Sequence, residues 1–161
     1  MRRYLIPVAV VLVLGGFLMW WFSPSQVVKR RTGSLLETMT LEADTGTAAR
    51  QMKTYSLNRL LAARVRLENP EIEEASGSFE RSDIEAGFSW LTSQAKETRF
   101  EVEDFKSVTV DGDTAQVSLV LTGLVDLKSY RPVDGKYDVT LDWMKEKDGW
   151  RLTGSSWKPA K

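Results

Sequence analysis

Two hydrophobic patterns follow one another along the chain. Residues 4–22 form an uncharged stretch of 19 residues, of which eleven are Leu, Ile, Val or Phe. A helix of that length spans roughly 28 Å, close to the ~30 Å hydrocarbon core of a bilayer. The pattern therefore predicts a transmembrane anchor over residues 4–22. From residue 23 onward the apolar positions become periodic, which is typical of a folded domain.

The competing interpretation of the N-terminus is a cleaved secretory signal, because Arg2 and Arg3 precede the apolar run. No Ala-x-Ala site follows, although Ser23 and Ser25 leave a poor one. We therefore expect an uncleaved anchor. Trp20 and Trp21, at the end of the anchor, are predicted to lie at the headgroup interface, where aromatic rings concentrate.

A basic cluster lies just beyond the predicted span. Its members are Lys29, Arg30 and Arg31, within the juxtamembrane segment 23–31. Contact with anionic headgroups and a plain stop-transfer flank both explain it. The positive residues on the two sides of the span are nearly balanced, and a short leading segment before a lone anchor favours a domain outside the cytoplasm.

Three helices and a short strand are predicted next. A helix starts at Ser23-Pro24, which supplies an N-cap and a first-turn proline, and a second covers residues 47–61 with Tyr55 on its apolar side. A short strand covers residues 64–68, and a loop follows over residues 71–78. Ser82 and Glu85 match a capping box, so a third helix is expected from there to about residue 98.

From residue 99 the hydrophobic period becomes two, which predicts a four-stranded antiparallel meander. A bulge is expected near Asp104 because Phe105 breaks the alternation. Asp-Gly pairs at 111–112 and 148–149 predict hairpin turns, and an unusually long strand fills residues 114–127. Trp143 and Trp150 flank the last hairpin and are predicted to pair inside.

The amino-acid composition excludes several kinds of partner and catalytic site. Lys plus Arg and Asp plus Glu both total 22, so no basic excess points to nucleic acid. The chain has no Cys and no His, which removes disulfides, thiolate nucleophiles and the commonest general base and metal ligand. The acidic clusters lack the spacing of a calcium loop. We expect no enzyme, no catalytic residue, no bound metal and no cofactor.

The order of elements, together with three sequence features, resembles the NTF2-like (SnoaL-like, cystatin-like) superfamily. The resemblance rests on residues 81–85 at the start of the third helix, on the long strand 114–127, and on the final segment 148–152 followed by Trp157. The resemblance covers residues 32–157. It implies an α+β fold, with an N-terminal transmembrane helix followed by a cone of helices packed on a curved antiparallel sheet. It also implies a pocket in the cone and an outer sheet face that pairs with a second copy.

Superfamily members with one N-terminal membrane helix include VirB8-like secretion proteins and Mce-associated proteins, which are assembly parts of envelope complexes. This chain lacks the Asn-Pro-x-Gly motif of the former, so only their architecture is carried over. The resemblance implies a non-catalytic interaction subunit of a bacterial membrane complex, single-pass in the inner membrane with a periplasmic domain. Its partners would be the bilayer and either other complex proteins or a homodimer mate.

An alternative function is a tethered domain that binds a small apolar ligand or acts as a SnoaL-like enzyme. Its candidate pocket residues are Tyr55, Tyr137 and Asp126, although both tyrosines also lie on apolar stripes and Asp126 has outward parity. A filled cone is expected for the assembly function, whereas an open cavity with a desolvated Tyr55 or acid is expected for the alternative.

Candidate interaction residues lie on one helix and one strand. Trp90 lies off the apolar stripe of its helix, which suggests an exposed contact or a wrapped core position. Val120 and Leu124 sit among polar residues on the outer parity of the long strand. That face is either a partner contact or a solvated surface with scattered apolar residues.

Overall fold

The computed structural model describes residues 2–70 and 73–161, with side chains from residue 5 onward. Four α-helices and six strands make up this part of the chain, together with a short 3-10 helix at Glu73–Ala75. The helices are α1 Arg2–Trp21, α2 Pro24–Met39, α3 Thr47–Asn58 and α4 Arg81–Gln94. The strands are β1 Leu61–Glu68, β2 Gly77–Glu80, β3 Ala95–Asp111, β4 Thr114–Leu127, β5 Val133–Glu146 and β6 Gly149–Pro159.

The strands form one mixed sheet in the order β2-β1-β6-β5-β4-β3. Strands β3 to β6 are the predicted antiparallel meander. Strand β1 adds to it in parallel with β6, and β2 pairs antiparallel with β1. The sequence pattern missed β2 because this four-residue segment is short, polar and mostly exposed. The predicted loop 71–78 lies partly outside the described residues.

Strands β3 and β4 form a long hairpin with an irregular register. The register shifts between Val102 and Asp104 and again between Phe105 and Ser107, which confirms the predicted bulge. Gly112 turns the hairpin with a φ of 58°. That left-handed conformation strains other residues, which explains the Asp-Gly signal at this turn.

The core lies between α2, α3, α4 and the inner face of the sheet. Alternate residues of β4 and β5 form its floor, and Val117, Leu119 and Leu121 are fully buried. Trp143 and Trp150 are both buried, but they are not opposite each other: Trp143 faces Leu152 and Trp150 faces Lys145 across the hairpin. Both tryptophans therefore lie inside as predicted, but they are not a directly opposed pair, because the turn places Glu146 opposite Gly149 and so Trp143 opposite Leu152.

Helix α4 begins two residues earlier than predicted. Its N-cap is Glu80, and the Asp83 side chain accepts a hydrogen bond from the Glu80 backbone, so the capping box is not Ser82 with Glu85. Glu85 instead accepts from Asn58 Nδ2 at 2.7 Å and ties α4 to α3. The helix also ends earlier, because Ala95 takes extended backbone angles and starts β3.

Helix α3 is rotated relative to the predicted apolar stripe. Met52 and Tyr55 are exposed, whereas Leu57 is buried in the core. Arg50 and Asn58 bind α4, so the side of α3 that meets the neighbouring helix is polar. Tertiary hydrogen bonds rather than apolar periodicity therefore set the rotation of this helix.

Helix α2 starts at the predicted Ser23-Pro24 cap position, although the Ser23 hydroxyl donates to Trp20 O at 2.7 Å. Val28 and Thr32 of α2 are fully buried, so the core already includes part of the segment predicted as juxtamembrane. Side chains of α1 from Leu5 onward are exposed. Among residues with described side chains, no single helix has the length and apolarity to cross a membrane; Leu5–Trp21 and Pro24–Met39 meet that test only as a pair bent by 56°.

Candidate functional site

An apolar cavity of about 500 Å³ opens between the helices and the inner face of the sheet. Helices α2, α3 and α4 supply one wall and strands β1, β5 and β6 supply the other. The lining residues are Leu35, Leu36, Met39, Leu57, Leu61, Val65, Leu67, Asn69, Ala75, Ile84, Gly87, Phe88, Leu91, Leu141, Leu152, Ser155 and Trp157. Its volume is in the range that small-molecule sites occupy.

The cavity follows from the alternation of the strands and the spacing of the helices. Leu141 and Leu152 point inward from neighbouring strands, while Ile84, Phe88 and Leu91 recur at helical spacing on α4. Gly87 also lines the cavity from an exposed position, and a Cβ built on it meets nothing within 4 Å. Open space therefore lies beside this turn of α4.

One end of the cavity is polar. Trp157 Nε1 donates to Ser155 Oγ at 2.6 Å, and Asn69 lies at the same end. The Trp157 ring packs edge-on against Phe100 and Tyr137, each at 5.9 Å between centroids. None of the described lining residues is ionisable. The lining offers dispersion contacts and a few hydrogen bonds, but no group for acid or base chemistry.

The structure does not bring the three predicted pocket residues together. Tyr55 is 61% exposed on α3, away from the cone. Tyr137 is half-buried beside Trp157 but does not itself line the cavity. Asp126 is half-buried near the end of β4, opposite Glu97. Sequence reasoning missed Ser155 and Trp157 as lining residues, although the closing Trp157 was already part of the family resemblance.

The predicted interaction residues occupy two separate surfaces. Trp90 is 58% exposed on α4. Val120 and Leu124 are half-buried on the outer face of the sheet. Val120 lies between Asp104 and Asp138, and Leu124 lies between Arg99 and Asp134, on the neighbouring strands.

Charge pairs cover the outer face around them. Lys136 Nζ lies 2.5 Å from Glu103 Oε2, and Lys106 pairs with Asp138. The hydrogen bond from the Lys136 ammonium, reinforced by one from the Thr122 hydroxyl, holds the pKa of the Glu103 carboxyl below its ordinary value. Ion pairs and isolated apolar positions therefore share this surface, and Asp104 and Asp134 beside Val120 and Leu124 belong to none of the described ion pairs.

The basic cluster contacts the domain and the end of α1. Lys29 Nζ lies 4.6 Å from the Phe105 ring centroid, and Arg30 lies 4.6 Å from a ring centroid of Trp21. Arg30 also donates to Trp21 O at 2.8 Å, which links α2 to α1. Trp20 and Trp21 are both exposed.

Arg31 approaches the last hairpin. A Cβ built on Gly149 would lie only 2.6 Å from Arg31 Nη2, so a side chain there would displace this guanidinium. The neighbouring Asp148 is hydrogen-bonded by Arg151, which lowers the pKa of its carboxyl, and the Arg31 charge acts in the same direction. The residues of the basic cluster therefore make part of their contacts within the protein itself.

Comparison with known structures identifies the architecture. A proposed dehydratase of the NTF2-like family from Streptomyces avermitilis matches with a TM-score of 0.64 and 18% identity, over 84% of this chain and 95% of that one. An NTF2-like protein from Cytophaga hutchinsonii matches with a TM-score of 0.66 and 14% identity, over 86% and 100%. This chain has an NTF2-like fold.

The NTF2-like fold is shared with proteins of other roles. The CaMKII hub of S. rosetta matches with a TM-score of 0.62 and 20% identity, over 86% of this chain and 98% of the hub. No protein-family model matches the chain, and no curated protein matches it significantly. The likeness therefore establishes the NTF2-like architecture of the domain, and its role must be argued from its own residues.

Proposed function

We propose that this protein is a membrane-anchored, non-catalytic NTF2-like subunit that assembles with other proteins of a bacterial envelope complex. The observation that carries the proposal is α1, whose large apolar side chains from Leu5 onward, where side chains are described, are between 42% and 80% exposed. A helix that is apolar all round needs an apolar environment. The folded domain does not supply it, since α1 lies outside the core.

The composition of the N-terminal apolar run supports its insertion. The helix has 20 residues, or about 30 Å, and its part with described side chains, Leu5–Trp21, has the length and apolarity of a span only together with α2. Residues 4–22 include eleven Leu, Ile, Val and Phe residues, ten of them in α1, which favour insertion by up to about 0.6 kcal/mol each, and none of the residues between 4 and 22 is charged. We therefore infer that the protein crosses the inner membrane once, with the domain on the periplasmic side.

Residues at the junction of α1 and α2 fit a membrane interface. Trp20 and Trp21 lie at the end of α1, and Arg30 holds the Trp21 ring through its guanidinium. Aromatic rings and cations concentrate at the headgroup level. Lys29 and Arg31 also make contacts within the domain, so the junction would orient the domain relative to the bilayer as well as meet it.

The lining of the cone supports a non-catalytic role. NTF2-like enzymes need a base and an oxyanion donor in the pocket. The described lining residues of this cavity include hydrogen-bonding groups such as Asn69 and Ser155 but no ionisable base, and Tyr55 is exposed on α3. The domain is thus better suited to binding than to turnover.

An exposed face of α3 and α4 is the surface that we assign to partner binding. The two helices run antiparallel, because Asn58 contacts Glu85 at one end and Arg50 contacts the Ala95 carbonyl at the other. Met52, Tyr55 and Trp90 are exposed on this helical layer. Exposed aromatics of this kind are enriched at protein interfaces. The likeness to a hub domain supports an assembly role.

Membrane extraction tests the anchor. We expect the full chain to remain with the membrane after alkaline carbonate washing. Val11→Arg with Leu12→Arg should release it, because each central charge costs about 2.5–3.5 kcal/mol of insertion free energy. Met52→Arg, on the exposed face of α3, is the matched control and should stay bound. Recovery of the unmodified chain in the soluble fraction would refute the anchor.

Co-purification tests the assembly role. We expect defined membrane-complex proteins, or a second copy of this chain, to co-purify with the full chain in mild detergent. Trp90→Ala should reduce their yield severalfold, because buried interface tryptophans commonly contribute about 2 kcal/mol or more. Tyr130→Ala, at another exposed aromatic in the β4–β5 loop, is the control. Equal loss with both variants would count against the assigned surface.

The cavity favours a second candidate function, the binding of a small apolar molecule. The observation in its favour is the open volume of about 500 Å³ with a polar end at Ser155. Mass spectrometry of organic extracts from the purified full chain would detect a stoichiometric apolar compound. Gly87→Leu should displace it by occupying open space, whereas Gly87→Ala should not. If the extract contains no such compound, ligand binding is refuted and assembly is the one proposed function that remains.

A further inference from the structure

A second cavity, of about 750 Å³, lies outside the cone where the start of α3 meets the end of α4. Three of its lining residues are cations, Arg50, Lys96 and Lys128. Hydroxyl and amide side chains supply most of the rest, namely Thr45, Thr47, Gln51, Thr54, Ser89, Thr92 and Ser93. No Asp or Glu is among the described residues that line it.

The cations of this groove have no carboxylate partner. Among the described residues, none of the seven ion pairs within 4.0 Å includes Arg50, Lys96 or Lys128. The outer face of the sheet shows the opposite arrangement, since Lys106 and Lys136 each have an acidic partner there. A cluster of unpaired positive charge in a concave surface attracts anions.

A structural role accounts for part of this charge. Arg50 donates from Nε to Thr45 O at 2.8 Å, from Nη1 to Ala95 O at 2.8 Å and also to Thr92 O. Lys128 Nζ donates to Ser93 O at 3.1 Å. Apart from Thr45 O, which precedes α3, these carbonyls belong to the last turn and C-cap of α4, whose dipole carries only about half a negative charge. Three cations exceed what that helix end can neutralise.

Donors remain after these bonds are made. No described protein atom accepts a hydrogen bond from Arg50 Nη2 or from the Lys96 ammonium, and Lys128 uses one of its three N–H groups. The first turn of α3 also begins at the groove, with Gly46 at the N-cap and no capping side chain. Its free backbone N–H groups add to the positive potential.

We propose that this groove binds a small phosphorylated molecule with a neutral, hydroxylated body. A phosphate group presents several acceptor oxygens and up to two negative charges, which suits the unused donors of Arg50, Lys96 and Lys128. The surrounding hydroxyl and amide side chains suit a polar body, and the volume exceeds what a bare phosphate needs. This site is separate from the apolar cone and does not rest on the proposed assembly role; only the choice of a soluble ligand over a lipid headgroup rests on the proposed anchor.

The position of the groove in the domain favours a soluble ligand over a lipid headgroup. Helix α2 has 16 residues and so is about 24 Å long. Lys53 near the middle of α3 reaches Glu37 O near the end of α2, so α3 starts beside the end of α2 that is remote from α1. If α1 lies in the membrane, the groove is on the far side of the domain.

Calorimetric titration of the full chain in nonionic detergent tests the site. The probes are inorganic phosphate and glucose 6-phosphate, with glucose as the uncharged control. We expect saturable binding of both phosphates that weakens as salt is added. Lys96→Gln and Lys128→Gln should each weaken it about threefold, and the double variant about tenfold. Lys147→Gln, in the exposed β5–β6 turn, removes the same charge elsewhere and should leave affinity unchanged.

Three results would overturn the proposal. The first is a titration with no saturable phosphate binding. The second is equal weakening by Lys147→Gln and Lys96→Gln, which would indicate attraction by net charge alone. The third is binding only to vesicles that carry phosphoinositides, with none to glucose 6-phosphate, which would move the ligand to a lipid headgroup. Arg50 is left unchanged because its bonds hold α3 to α4.

Discussion

The two faces of the sheet use the same strands for different purposes. Along β4, Val117, Leu119 and Leu121 are fully buried against the helices. Between them, Ser118 and Val120 belong to the outer face, where ion pairs such as that of Lys136 with Glu103 dominate. The inner face is continuous and apolar, whereas the outer face is polar and carries several ion pairs.

This difference indicates where binding is expected. A face that carries ion pairs gains little from a partner, because each pair would have to be desolvated. The inner face is covered by helices but encloses a cavity, and the groove beside α3 carries charges without partners. Binding functions are therefore assigned to the cavities and to the helical layer, and not to the outer face.

The largest effect is expected on the inner face. Leu141 is 1% exposed and lines the apolar cavity, so Leu141→Ala should lower the free energy of unfolding by about 2–5 kcal/mol. Thr140→Ala, the next residue and on the outer face, should lower it by less than about 1 kcal/mol. Chemical denaturation of both variants measures the difference. Similar losses would mean that the two faces are not energetically distinct.

Two buried threonines sharpen the comparison inside the core. Thr98 Oγ1 donates to Met39 O at 2.6 Å and accepts from Leu41 N at 3.0 Å, so Thr98→Val should cost about 1–3 kcal/mol. Thr32 Oγ1 is equally buried but has no partner among the described residues. Thr32→Val should therefore be neutral or stabilise the fold by up to about 1 kcal/mol. A large loss with Thr32→Val would reveal a partner for this hydroxyl.

A smaller effect is expected for a charge placed on the outer face. Val120 lies between Asp104 and Asp138, so a lysine at this position would meet two carboxylates. Val120→Lys should change the free energy of unfolding by less than about 0.5 kcal/mol. The molecular mass by light scattering should also stay the same. A drop from dimer to monomer would instead make the outer face an interface between copies.

The smallest effect concerns acid sensitivity. Because Lys136 and Thr122 lower the pKa of Glu103 in the folded state, Glu103 adds stability above its ordinary value of 4.5 and loses that contribution as the pH falls through the lowered value. Glu103→Gln should therefore flatten the acid limb of stability against pH. Denaturation at several pH values, with Glu101→Gln as the control on the same strand, tests this. An unchanged slope would contradict the assigned pairing.

The local sequence pattern was sufficient to predict an element wherever the structure of that element depends on neighbouring residues alone. The alternation in residues 114–127 predicts β4 with the observed bounds, and the Asp-Gly pair at 111–112 predicts its hairpin. Ser23-Pro24 likewise predicts where α2 begins. These signals are local because strand alternation, turn conformation and helix capping depend on neighbouring residues.

Contacts between distant segments decided the rest. The parallel pairing of β1 with β6, the rotation of α3 and the cap of α4 at Glu80 all depend on residues far apart in the chain or on competing local choices. The same holds for both cavities. Sequence by itself determined an apolar leader, an α+β order of elements and the absence of Cys and His. Only the tertiary structure decided which side chains line a cavity and which charges lack a partner, because both depend on how the elements pack.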